Sequence, residues 1–400
     1  MSYSKYQRIM CALALAGTLG WGILPAYADG RDDERGDQDH DQRVKTVFVI
    51  AMENHNWVQP APTSSPEQIF MNPAAPFINS LVNGSSGISG QVAYAKMYVN
   101  AASGLHPSEP NYVWAESGTP GNSLGTDADP YFPAPKPPAT TPAACTPNTI
   151  ATSDQHLSAF LTKAGKTWRS YQEDANVDLT TNAPLPKNMW TVPLYSQSGN
   201  FSNGINAYNY STQYNYAAKH NPMVFFTDTA GPCPATPSTH YPPLQQLALD
   251  LQNDEVANYN WITPNQFNDQ HSKLTAGYGS FVPASDQSAI AQGDNFLARI
   301  VPLIMASKAY KDHGVIILWW DESEGGDTSA FTLPFMIISQ DAHANVGGKP
   351  YSNTIEYSHS SFLRTMQEIF DVDPLHGYPW LGDAISATDL KDLFKPGSIK

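Results

Sequence analysis

Two stretches of this chain set adjacent oxygen-bearing side chains at the end of an apolar run. Glu53-Asn54 follow Val47-Phe48-Val49-Ile50-Ala51-Met52, and Asp321-Glu322 follow Val315-Ile316-Ile317-Leu318-Trp319-Trp320. Carboxylate and amide oxygens are hard donors suited to a divalent cation such as Mg, Ca, Mn or Fe, with Zn also admissible. Three further clusters could act on a bound anion. In His106-Pro107-Ser108-Glu109-Pro110-Asn111-Tyr112 a hydroxyl precedes a proline of the kind favoured in the first turn of a helix. Ser108 would there face free backbone N–H groups, a seat for a phosphoryl group. Taken alone, ordinary N-capping is the simpler account. Asn265 to His271 gathers amides, Asp269 and an imidazole, and His359 opens an amphipathic stretch continued by Phe362, Leu363 and Met366. A lone histidine in such a position is more often structural. Each cluster is weak by itself, but all five fall at the same kind of place.

The elements that must position them read as an α/β domain. A continuous β-branched apolar run is a strand buried on both faces, and such strands belong to parallel sheets whose sites lie beyond the strands' carboxyl ends. Strands are expected at 46–52, 94–98, 167–171, 223–227, 258–263, 314–320 and 333–339. Helices are expected at 76–83, 110–117, 155–164, 242–252, 285–310, 358–369 and 387–394. Their alternation predicts a mostly parallel sheet covered by helices. The long Pro/Tyr-rich loops 119–150 and 172–222 either line a substrate cleft or pad a large surface.

The ends of the chain carry different signals. Residues 1–28 read as a secretory signal peptide: Lys5 and Arg8, an apolar core from Ile9 to Leu24, then Ala26-Tyr27-Ala28 as the cleavage site. That stretch holds glycines and ends at Pro25, which argues against a retained membrane anchor. Residues 29–45 form a charged linker expected to be disordered, and 46–400 one catalytic domain. Removing Lys5 and Arg8 from the 22 basic residues leaves 20 against 37 acidic ones, a formal −17. No basic stripe is visible, so a nucleic-acid partner is not expected. The expected location is secreted or periplasmic.

Taken together, Met52-Glu53-Asn54, His106-Pro107-Ser108 with Pro110-Asn111-Tyr112, Ile262-Thr263-Pro264-Asn265 with Asn268-Asp269 and His271, Trp320-Asp321-Glu322, and His359-Ser360-Ser361 with Leu363-Arg364-Thr365 resemble the bacterial and fungal phosphoesterase family of acid phosphatases and phospholipases C. The motifs stand in the family's order from residue 46 to about 373, and Gly165-Lys166-Thr167-Trp168 with Tyr171-Gln172-Glu173 fits the same family. The resemblance implies a three-layer α/β/α alkaline-phosphatase-like sandwich. It implies a divalent metal held by Glu53, Asn54, Asp321 and Glu322, with Ser108 as nucleophile on the ion. Asp269 joins either a second metal site or a polar pocket with His271 and His359. His106, Asn111, His271 and His359 become candidates for gripping phosphate or protonating a leaving group. His55-Asn56-Trp57 departs from the Arg-Ser-Phe-Asp-His continuation of the phospholipase C branch, and no Thr-Asp-Pro-x-His motif occurs. Both departures favour the phosphatase branch.

The resulting expectation is a metal-dependent phosphoesterase acting on small phosphate monoesters through a phosphoserine. The rivals are a phospholipase C-type phosphodiesterase and a non-enzymatic exported carbohydrate- or peptide-binding protein. Cys11 leaves with the signal, so Cys145 and Cys233 are expected to pair in an oxidising compartment. Thiol titration of the unreduced, denatured mature protein should find no free thiol; two would refute the disulfide.

Overall fold

The structure, a computed structural model, describes residues 43–59, 67–102, 105–132, 146–233, 235–325, 330–343 and 347–400. The expected signal peptide, residues 29–42 of the charged tract and Cys145 lie outside the described residues, and with Cys145 the disulfide expectation does too.

Seven strands make the central sheet: Thr46–Met52 (β1), Val92–Tyr98 (β2), Trp168–Gln172 (β3), Tyr259–Thr263 (β4), Gly314–Trp320 (β5), Phe335–Ser339 (β6) and Tyr351–Tyr357 (β7). Their spatial order is β7-β2-β6-β5-β1-β4-β3. Only β6 runs antiparallel to its neighbours; the other pairings are parallel. All seven residues of β5 are buried, as a strand covered on both faces requires. Side chains alternate between faces, and the tandem Trp319-Trp320 makes this concrete. Trp319 meets Tyr112 and His359 on one face. Trp320 donates its Nε1–H to Gln270 on the other.

Helices cover each face. The main ones are Pro76–Asn83 (α1), Glu109–Ser117 (α2), Leu157–Lys163 (α3), Gln246–Asn253 (α4), Asp286–Ala306 (α5) and His359–Ile369 (α6). Helices α2, α3 and α6 pack together over the Trp319 face, and α1 packs with α5. Helix α5 comes so close to the opposite face that a Cβ at Gly293 would meet the Gln270 side chain at 2.2 Å and Met52 Cε at 2.8 Å. Gly118 ends α2 in the left-handed region, at φ 67, where a Cβ would lie 2.4 Å from the Leu381 carbonyl oxygen. The expected three-layer architecture with a mostly parallel sheet is what the chain adopts.

Two local expectations are corrected, and one strand was not expected at all. Residues 223–227 are not a strand: Pro222–Phe225 forms a 3-10 turn and Thr227–Ala230 a short helix. The run is apolar enough to bury, but it begins at a proline without an N–H and packs against α2 instead of joining the ladder. Conversely, β7 (Tyr-Ser-Asn-Thr-Ile-Glu-Tyr) is an edge strand with little apolar content, so no sequence period announces it. Residues 387–394 contain only a 3-10 turn, Lys391–Leu393.

One buried imidazole ties two of these elements together. His156 is fully buried with Nδ1 3.2 Å from Glu116 Oε2 on α2 and Nε2 2.9 Å from Asp228 Oδ1, while its ring stacks on Phe226. Burial alone would lower its pKa, but Asp228 and Glu116 outweigh burial and raise it. A raised histidine pKa adds stability that is fully present below about pH 6.5 and lost as pH rises through the folded-state value. His156→Gln should therefore lower the melting temperature by roughly 2 °C or more near pH 6. The gap between variant and wild type should narrow toward pH 9; a gap independent of pH would refute the charged bridge.

Candidate active site

The carboxyl ends of β1 and β5 deliver Glu53-Asn54 and Asp321-Glu322 to one edge. Glu53 and Asp321 are wholly buried and Glu322 nearly so. Asn54, at φ 31, crosses between the strands: its N–H donates to Asp321 Oδ1 at 3.1 Å and its Nδ2 to Glu322 Oε1 at 2.9 Å. The loop after β2 brings in the serine. Ser108 Oγ lies 3.1 Å from Glu53 Oε2 and 3.2 Å from Glu322 Oε1, so its single proton can go to either carboxylate. Ser108 occupies the N-cap position of α2, yet its side chain makes no capping hydrogen bond. The helix-cap account is thereby set aside, because the hydroxyl points at the acids.

The other expected residues divide into groups. His106, partly exposed, has Nδ1 in short contact with Glu322 Oε2. Asn111 donates to the Leu105 carbonyl at 2.7 Å and lies 3.4 Å from Glu322 Oε2, with its own Oδ1 buried and without a protein partner. His271 is exposed on the rim, its ring centroid 6.4 Å from that of His220. Asp269 sits deeper, accepting the His271 N–H at 2.8 Å and lying 3.3 Å from His220 Nδ1. His359 is placed differently from the expectation that it faces phosphate. It is fully buried, accepts at Nδ1 from Trp319 Nε1 at 3.1 Å and donates from Nε2 to the Asp321 carbonyl. Burial pushes its pKa down to about 4, so the ring is a neutral pillar beneath Asp321.

Sequence reasoning missed three residues. Tyr112 donates to Glu53 Oε1 at 2.7 Å, and its ring stacks on His220 at 4.9 Å. His220 Nε2 stands 2.9 Å from Glu53 Oε1. Lys219 Nζ pairs with Asp127 Oδ2 at 2.7 Å and lies 3.5 Å from Ser108 Oγ. Lys219 and His220 come from the end of the 172–222 loop, held by Thr263 at the end of β4, whose hydroxyl donates to the His220 carbonyl at 2.9 Å. Tyr112 was visible as a member of the Ser108 motif, whereas a Lys-His dipeptide in a single 3-10 turn carries no periodic signal.

The electrostatics follow from crowding. Burial raises the pKa of Asp321 well above the carboxylate range, and the charges of Glu53 and Glu322 push it further. Burial opposes ionisation of Glu53 too, but His220, with Lys219 and His271, prevails and holds it below the ordinary value. Burial would lower the His220 pKa, yet Glu53 and Asp269 raise it, so each partner favours the charged form of the other. Among the described residues no three His, Cys, Asp or Glu side chains converge as ready metal ligands. Two oxygens at the edge, Asn54 Oδ1 and Asp321 Oδ2, are nevertheless buried without a protein partner.

The fold is a mixed α/β sandwich that gathers buried carboxylates at one edge of its sheet. The chain belongs to the Phosphoesterase family, whose sequence profile matches residues 36–373. It acts on phosphate esters. A relative is the phosphatidylinositol-3-phosphatase of Mycobacterium tuberculosis (strain ATCC 25618 / H37Rv), 24% identical over 387 residues, covering 97% of this chain and 95% of that one. Similar solved structures include a protein in the alkaline phosphatase superfamily from Vibrio parahaemolyticus (10% identity, TM-score 0.43, 89% of this chain and 73% of that one). Another is the lipoteichoic acid synthase LtaP from Listeria monocytogenes (9% identity, TM-score 0.42, 88% and 77%).

His220→Gln should leave Glu53 without its strongest cationic partner. The carboxyl pKa then rises, and the acid limb of the kcat/KM profile should move to higher pH by roughly one unit. An unmoved acid limb would show that Glu53 ionisation is not what His220 controls.

Proposed function

We propose that this protein is an exported, metal-dependent phosphatase that hydrolyses phosphate monoesters through a phosphoserine at Ser108. One observation carries the reading: in a member of the Phosphoesterase family, a buried serine hydroxyl released from helix capping sits between two carboxylates. Ser108 Oγ would pass its proton to Glu53 or Glu322 and attack phosphorus, forming the Oγ–P bond as the ester oxygen departs. His106, at the mouth and oriented by Glu322, would protonate that oxygen. Lys219 would hold the phosphoryl oxygens, Asn111 would keep Glu322 in place through its Nδ2, and a water would later release phosphate from the serine.

The donor set fits a divalent cation. Asn54 Oδ1 and Asp321 Oδ2 are buried without a protein partner and so are left over for a cation, although the acidic residues of the edge are not drawn together as a ready triad. Glu53, Asn54, Asp321 and Glu322, with the Ser108 oxygen, would hold the ion. When bound, it would neutralise phosphoryl charge and lower the serine pKa. Asp269 lies behind His220, so its part would be to orient that imidazole. The relative's name supports the monoester choice and brings phosphorylated inositol headgroups among the candidate substrates. The n-region, apolar core and Ala26-Tyr27-Ala28 site support export.

Purified mature protein should hydrolyse p-nitrophenyl phosphate faster than its bis-ester. Chelation should abolish the activity, and Ser108→Ala should reduce kcat by about 10³-fold or more. Full activity of the chelated, metal-free protein would overturn the metal assignment. Near-wild-type turnover by Ser108→Ala would remove the phosphoserine.

A further inference from the structure

A cavity of about 250 Å³ opens at the carboxyl ends of β2 and β7, the same sheet edge that carries Glu53-Asn54 and Asp321-Glu322. We infer that it is a subsite for the uncharged, hydroxyl-rich portion of the substrate, a polyol or sugar. The inference rests on the phosphatase reading above and adds the substrate class.

Position comes first. In the order β7-β2-β6-β5, the cavity end of β2 lies two strand spacings, roughly 10 Å, from the β5 end that bears Glu322. The distal hydroxyls of a phosphorylated six-membered polyol span that distance once a hydrogen bond of about 2.8 Å is added. The walls are also tied to the site. Asn100 Oδ1 accepts the Ser323 N–H at 3.0 Å, next to Glu322. Trp114, on the helix that begins beside Ser108, donates to Ser360 Oγ at 2.9 Å and to Asp383 Oδ1 at 3.1 Å. The volume equals about eight waters at ~30 Å³ each, room for a ring with its hydroxyls.

Chemistry then selects the class. The wall offers hydroxyls from Ser358, Ser386 and Thr388 and the carboxylates of Glu356 and Asp383. Among the described residues no Lys, Arg or His lines it. A second phosphate would meet two carboxylates and no cation, so an anionic group is disfavoured there. A polyol presents O–H groups that both donate and accept, matching acceptor carboxylates and amphoteric hydroxyls. Aromatic stacking walls suited to a quaternary ammonium are lacking among the described lining residues, apart from the buried Tyr357.

The test compares myo-inositol 1-phosphate, glucose 6-phosphate, phosphocholine and p-nitrophenyl phosphate in wild type, Thr388→Leu and Ser386→Leu. Both positions are exposed on the wall and outside the catalytic set, so folding should tolerate the change. Polyol esters should lose about tenfold in kcat/KM, chiefly through KM, with p-nitrophenyl phosphate within about twofold of wild type. Equal effects on all four esters, or a loss confined to phosphocholine, would overturn the polyol subsite. Saturation-transfer NMR with free myo-inositol gives a readout independent of turnover. A signal weakened in Thr388→Leu supports the subsite, and no signal in wild type refutes it even if p-nitrophenyl phosphate is hydrolysed normally. Failure of wild type to hydrolyse any of the esters, with inositol still bound, would instead refute the phosphatase reading.

Discussion

Mutual repulsion among Glu53, Asp321, Glu322 and Asp269, all buried at one sheet edge, is the constraint around which the rest of the molecule is arranged. Removing a carboxylate from water is costly unless it is paired or hydrogen-bonded, and like charges in a low dielectric add to that cost. The fold offsets it with cations from a different part of the chain. His220 and Lys219 arrive on a loop, Tyr112 on α2 with Ser108 at its N-cap, and Asn54 links the two strand ends. Holding that crowd in place requires a stiff base. The sheet below supplies it through buried strands, each large apolar side chain contributing about 1.5–3 kcal/mol.

Support beneath the edge is as specific as the edge itself. Glu173, at the end of β3, accepts from Asn268 Nδ2 at 2.8 Å, Asn206 Nδ2 at 2.6 Å and the Asn265 N–H at 2.8 Å. Burial and the neighbouring Asp174 push its pKa up to about 8. This network fixes the Asn265–Asp269 turn, and so the carboxylate behind His220, without touching the reacting groups. It also accounts for the Tyr171-Gln172-Glu173 segment: Gln172 Nε2 donates to Thr263 Oγ1 at 3.0 Å, and Thr263 holds the His220 carbonyl.

Much of this was legible in the residues, and the gaps have physical causes. Strands β1 and β5 were readable because burial on both faces leaves uninterrupted apolar runs ending in polar residues. Strand β7 was not, because an edge strand need not be apolar. The 223–227 run shows the reverse failure, burial without a ladder. Within the site, the residues on strand ends and helix starts could be found by pattern, since backbone geometry dictates where they project. Lys219 and His220 depend on the path of a long loop set by tertiary hydrogen bonds, which no local pattern records. His359 could be located but not assigned its role. Its position at the start of α6 says nothing about whether the ring faces the cleft or the sheet.

The tandem tryptophans of β5 reach the acidic edge from both faces of the sheet. Trp319 hydrogen-bonds to the same imidazole that holds the Asp321 carbonyl, and Trp320 to Gln270, one residue beyond Asp269. Each indole thus stands one contact away from an acidic residue of the edge, on opposite faces of a single strand. Movement of Asp321 is felt by the Trp319 ring and movement of the 265–271 turn by Trp320. Each side of the site therefore has its own indole beside it, two of the chain's nine tryptophans.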